Sequence, residues 1–311
     1  MRIVNLVENT EGQRGCACAH GLSFYVETRK HRILVDAGPD GELLLSNAEK
    51  LGVALESVDT VILSHGHYDH GDGLAAFRRV NPDAAIYARR GADGDFLSVH
   101  DGGERYIGLS EEVKELPGII YLDEDFRIDE ELFVFGGIGT RYPSPSGNRE
   151  HRQRTEDGLR QDRYDHEMCL VITEDGLRVL MSGCAHHGIL NVLERFREVC
   201  GGEPDVVISG FHMKKHGGFT DEDIRQMLEC AEELKKYGKT KFYTCHCTGT
   251  GPYRVMKQVA GTNLNYIHCG DELVLKAEKK RRTGYMKQHR FFAWATVFCF
   301  IMTMVTGYRR K

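Results

Sequence analysis

Residues 64–71 read Ser-His-Gly-His-Tyr-Asp-His-Gly, placing three imidazoles and a carboxylate within six residues. Such crowding costs desolvation and gives a fold nothing in return. It suits the binding of divalent metal ions, for which imidazole and carboxylate are the ligands of Zn²⁺, Mn²⁺ and Fe²⁺. In an irregular loop His65 and His67 can face one ion, while Asp69 and His70 reach a second. One loop cannot close two sites, so further donors must arrive from elsewhere. Three further segments carry them: Cys184 and His186 in GCAHHG, His212 in GFH, and His246 in CHCTG, each following an apolar run. His31, His100, His151, His268 and His289 read as surface or core residues. The pairs Cys16/Cys18 and Cys245/Cys247 are weak metal signals without a second pair.

These donors need strand ends gathered at one edge of a sheet. Residues 22–27 and 32–36 form a predicted hairpin around TRKH, and 41–52 a predicted helix with Gly52 as its cap. DTVILSH is a short apolar strand of the mid-sheet kind, ending at the histidine loop. After residue 166, a predicted hairpin about Glu174-Asp175-Gly176 is followed by strands and helices in alternation, one helix capped by Thr220. The pattern is mixed α/β. Residues 88–162 are polar and loop-like apart from YLDEDFRI and ELFVFGG, and are expected to shape a substrate cleft.

The 311 residues are 41% hydrophobic and 28% charged, which excludes a disordered chain and a small stapled scaffold. The N-terminus lacks an apolar signal region, so the ten cysteines are expected as reduced thiols in a cytoplasmic body. Residues 276–290 form a basic linker; with Arg309, Arg310 and Lys311 the tail holds ten Lys or Arg and one Glu. It therefore carries +9 of a total of −5, which leaves −14 on residues 1–275. So acidic a body argues against nucleic acid as a partner. Residues 291–308 are uncharged with Trp294 near their start, and 291–311 is a candidate C-terminal membrane segment whose basic flank keeps the body cytoplasmic.

SHGHYDHGDGL resembles the H-x-H-x-D-H signature of the metallo-β-lactamase superfamily. More narrowly, HGLSFYVET, ILVDAG, SNAEKLGV, SGCAHHGILN, GFHM and CHCTG are similar in order and spacing to the 7,8-dihydropterin-6-methyl-4-(β-D-ribofuranosyl)aminobenzene 5′-phosphate synthase branch. The resemblance covers residues 1–275 as one catalytic domain and leaves the tail outside. It implies an α/β fold, an αββα sandwich of two mixed sheets flanked by helices, with two metal ions at one edge. It makes His65, His67, Asp69, His70, His186 and His246 the ligands, with zinc expected first and manganese or iron as alternatives. His212 would lie close by as a substrate or acid/base contact. Where the superfamily's hydrolases usually offer a bridging aspartate, this chain has Cys184; His166 competes with Glu167 for another familiar ligand position.

The chemistry this implies is hydrolysis or transfer through a metal-activated hydroxide, with Asp69 orienting the nucleophile and His212 handling charge or a proton. Lys214, Lys215 and His216 would receive an anion on a small, phosphorylated or otherwise anionic substrate. The branch itself implies condensation on a phosphorylated ribose. An iron-dependent redox enzyme and a non-catalytic, membrane-tethered metal-binding protein are the alternatives.

Overall fold

The computed structural model describes residues 1–276 except 13, 101 and 215–217. The tail, with the basic linker and the 291–308 segment, lies outside the described residues. Among those described, no helix is long and apolar enough to cross a membrane, and none of the nine cysteines is in a disulfide.

Two seven-stranded sheets form the body. The first runs Glu272–Val274, Arg2–Val7, Ser23–Glu27, Arg32–Val35, Thr60–Leu63, Ala85–Arg89, Ile119–Leu122 in spatial order. The second runs Leu264–Tyr266, Lys241–Thr244, Val206–Ser209, Leu177–Ser182, Cys169–Glu174, Leu132–Phe135, Phe126–Arg127. Successive side chains on a strand point to opposite faces, and here both faces are apolar. Phe24, Val26, Ile33, Val35 and Ile62 of the first sheet meet Leu170, Ile172, Val179, Met181 and Ile208 of the second in one core. The intervening Tyr25, Leu34, Val61 and Leu63 face an outer core closed by helices Gly41–Leu51 and Leu74–Val80. Val171, Leu180 and Val207 face another, closed by helices Ile189–Cys200, Asp221–Lys236 and Thr250–Ala260. Helix, sheet, sheet, helix is the layer order this burial dictates. It is the αββα sandwich that the resemblance implied.

Local signals place the boundaries. Gly52 closes its helix in the left-handed region, φ 67°, where a Cβ would be strained. Thr220 and Asp223 form a reciprocal capping box. Asp175 and Gly176, φ 53° and 83°, make the tight turn of the second hairpin.

Residues 88–162, expected as a loop-like cover, prove more ordered. Ile119–Leu122 and Leu132–Phe135 are strands of the two main sheets. Between them and the site, Gly158–Gln161, His151–Thr155, Asp95–His100 and Gly103–Tyr106 make a separate antiparallel four-stranded sheet. Two of its strands are exposed throughout, so no apolar alternation marks them in the sequence.

Candidate metal centre

Parallel strands share an edge at which all their C-terminal ends lie, and open sheets bind ligands there. Thr60–Leu63 runs parallel to both of its neighbours and delivers His65, His67, Asp69 and His70. Leu177–Ser182, Val206–Ser209 and Lys241–Thr244 run parallel in the second sheet. Their C-terminal ends deliver Cys184 with His186, His212, and His246 respectively. The chain turns sharply at these points. Of six non-glycine residues with positive φ among those described, five (Asp36, Tyr164, Ala185, His212 and His246) lie at this edge. Backbone strain of that kind persists where the surroundings over-determine it, and it clusters at functional sites. Gly66, between the first two histidines, must be glycine because a Cβ would collide with the Ala92 carbonyl.

The hydrogen bonds fix how each imidazole faces. Asp36 accepts from His70 Nδ1 at 2.7 Å. Ser64 Oγ donates to the same carboxylate and so accepts from His65 Nδ1 at 2.9 Å. Asn148 donates its amide to the His186 carbonyl, which leaves its oxygen to accept from His186 Nδ1 at 3.1 Å. Asn9 accepts the Gly21 N–H, and the same oxygen accepts from His246 Nδ1 at 2.7 Å. Each ring therefore carries its proton on Nδ1 and turns a lone pair outward on Nε2. Those lone pairs face one another: His65 Nε2 lies 3.3 Å from His186 Nε2, and His70 Nε2 lies 3.2 Å from His246 Nε2.

Other donors crowd the same space. Asp69 Oδ2 lies 3.2 Å from His246 Nε2 and 3.9 Å from His70 Nε2. Cys184 Sγ lies 3.2 Å from His70 Nε2, and the His67 Nε2 atom is buried without a hydrogen-bond partner. Donor atoms of His65, His67 and His186 lie within 4.8 Å of one another, as do those of His65, His70 and Cys184, and those of His20, Asp69 and His246. Lone pairs directed at lone pairs in a dry site repel unless a cation lies between them. The donor set thus suits divalent metal ions: His65, His67 and His186 form one group that could hold an ion, and Asp69, His70 and His246 crowd together beside it, with Cys184 next to His70.

Electrostatics agree with this reading. Burial and neighbouring imidazoles hold His65, His67 and His186 well below the usual histidine range, so they are neutral and ready to ligate at pH 7. Burial alone would lower His70, but the carboxylates of Asp36 and Asp69 outweigh it and raise it to about 9.

Two expected residues stand elsewhere. His166 accepts the Gly66 N–H on Nδ1 at 3.0 Å, and its Nε2 faces Asp162 at 3.4 Å. Both nitrogens are used, so it braces the loop between His65 and His67. Glu167 accepts from the His186 and His187 N–H groups and from His187 Nδ1, at 2.6, 3.1 and 2.7 Å. Burial opposes its ionisation, yet these bonds hold its carboxyl below the usual range. It orients His186 and leaves no oxygen for a metal. Lys214 is exposed; Lys215 and His216 lie outside the described residues. Cys245 packs in the core between the sheets, while Cys247 lines the cleft.

Sequence reasoning missed His20, whose Nε2 lies 3.3 Å from Asp69 Oδ2, and His151, whose ring centroid is 5.3 Å from that of His212. It also gave Asp36 no role. With His212, His20 and His151 border a cleft of ≈ 120 Å³ above the donors. Both His212 ring nitrogens are buried without a partner.

The superfamily is now clear. A family model described as the metallo-beta-lactamase superfamily matches residues 18–155. An uncharacterized protein of Methanocaldococcus jannaschii is 31% identical over 273 residues, which span 85% of this chain and 96% of that one. The chain belongs to the metallo-beta-lactamase superfamily. More particularly, it is similar to the 7,8-dihydropterin-6-methyl-4-(beta-D-ribofuranosyl)-aminobenzene-5'-phosphate synthase of the same organism: 29% identical over 272 residues, 81% of this chain and 88% of the synthase. Among solved structures, Tm1679, a metal-dependent hydrolase of the beta-lactamase superfamily, superposes with a TM-score of 0.73 at 26% identity. That likeness covers 89% of this chain and 100% of Tm1679.

Proposed function

We propose that the protein is a dinuclear-metal hydrolase or transferase acting on a small, phosphorylated or otherwise anionic substrate. The observation that carries this reading is the two facing pairs of imidazole lone pairs, His65 with His186 and His70 with His246, each ring tethered through Nδ1. Two divalent ions there, zinc first, would lower the pKa of water towards neutrality and polarise a scissile bond. The chain's own residues do the rest. Asp69, in the second ligand set, also lines the cleft, where its carboxylate can orient a nucleophile. His212, with both nitrogens unpartnered at the cleft wall, can hold the proton that a leaving group takes. The similar synthase, by its name, makes a 5'-phosphate, which supports a phosphorylated small molecule over a polymer; so does the acidic body.

Cys184, 3.2 Å from His70 Nε2, supports a second reading, since a soft thiolate at the centre suits iron and redox chemistry. Metal content and turnover separate the two. The metal-loaded protein, assayed on a panel of phosphomonoesters, phosphodiesters and thioesters, is expected to turn over at least one class. That turnover should be abolished by a chelator and cut at least 100-fold by Asp69→Asn. Full metal loading with no chelator-sensitive turnover on the panel would favour a metal-binding protein without catalysis, and bound iron with a redox-sensitive spectrum would favour the second reading.

A further inference from the structure

Asn9 holds two imidazoles at once. Its side-chain oxygen accepts from the Gly21 N–H and from His246 Nδ1, so its nitrogen is the atom that faces His20 Nδ1, at 3.2 Å. An amide nitrogen only donates; His20 therefore accepts on Nδ1 and carries its own proton on Nε2. His246 is the reverse, with its proton on Nδ1 and its lone pair on Nε2. One amide thus sets opposite tautomers on two neighbouring rings, whose centroids are 4.9 Å apart.

Both rings end at the same oxygen. Asp69 Oδ2 lies 3.2 Å from His246 Nε2 and 3.3 Å from His20 Nε2. Proximity alone would count His20 with Asp69 and His246 as a metal ligand, but the tautomer says otherwise. The lone pair of His246 is free to ligate, whereas His20 turns an N–H to the carboxylate. The chain around His20 is fitted to this approach. The Leu22 N–H donates to the Asp69 carbonyl at 3.1 Å. Gly21 must be glycine, because a Cβ there would come within 2.6 Å of that carbonyl oxygen and 2.4 Å of the Pro39 ring. The His20 side chain is 49% exposed and borders the cleft, while those of Asp69 and His246 are 9% and 1% exposed.

We propose that His20 is a positioning residue of the centre and not one of its ligands. Its Nε2–H holds the Asp69 carboxylate turned towards His70 and His246, and Asn9 supplies the tautomer that makes this donation possible. The proposal rests on the dinuclear reading above and adds to it a residue that orients a ligating carboxylate from outside the metal's own contacts.

The test is nitrogen-15 NMR of the histidine side chains, recorded on chelator-stripped protein and again after zinc loading, with His20→Gln identifying the His20 signals. His20 is expected to carry its proton on Nε2 in both states, with neither nitrogen bound to zinc. A proton on Nδ1 alone, or a zinc-bound Nε2, would overturn the proposal. Zinc affinity is the second readout. His20→Ala should take up as many ions as wild type but hold the weaker one about 10-fold less tightly. His20→Gln, whose side-chain nitrogen is a donor of similar reach, should recover most of that loss. Affinity unchanged in His20→Ala, or one ion fewer at saturation, would also overturn the assignment. A wild type that takes up no zinc would sink the dinuclear reading itself, while the tautomer in the stripped protein would still decide whether His20 donates to Asp69.

Discussion

Asp36 shows how much of the site rests on a residue that touches no substrate. Its carboxylate is fully buried and takes the Ser64 N–H, the Ser64 hydroxyl and His70 Nδ1, each at 2.7 Å. It thereby sets the tautomer of His70 directly and that of His65 through Ser64. Asp36→Asn keeps the shape but loses the charge that makes both rings better ligands. Metal affinity, read by competition with a chromophoric chelator, should fall about 10- to 100-fold while the fold is retained. Unchanged affinity would remove Asp36 from the account. The candidate ligands were legible in the sequence because each lies just after an apolar strand, and histidine is conspicuous there. Asp36 was not, since a lone Asp-Ala-Gly after a strand is also an ordinary turn. His20 and His151 were not, because their places depend on chain segments that pack over the strand ends from far away in sequence.

At the scale of elements, apolar runs read correctly wherever both faces of a strand are buried, as in SFYVE, RILV, TVIL and VVIS. It failed for the third sheet, whose strands GERY and GLRQ are exposed and so leave no period-2 hydrophobic signal. Elements are also joined by charge. His31, in the turn of the first hairpin, bridges Asp59 of its own layer and Asp129 of the second layer, at 2.8 Å each. Burial opposes its protonation, but the two carboxylates prevail and raise it above its ordinary 6.5. A raised value means the bridge stabilises fully below about pH 6.5 and fades as pH climbs through the folded value. The thermal midpoint of wild type should therefore drop more steeply between about pH 6 and 9 than that of His31→Gln. Parallel pH profiles for the two proteins would show that the bridge contributes nothing.

For the molecule as a whole, the layers explain why so small a set of residues can be held so closely. Three apolar cores fix two sheets face to face, and Met1–Ala277 forms one compact unit around them. The strand ends then bring together donors separated by up to 181 positions, from His65 to His246. The net charge of −14 on residues 1–275 is a property of this body. The most direct test of the whole account is metal stoichiometry. Protein stripped with a chelator and reloaded with zinc should bind two ions per chain, and His65→Ala and His246→Ala should each lower that number to one or fewer. Two ions retained in both variants would contradict the assignment of this edge as a dinuclear centre.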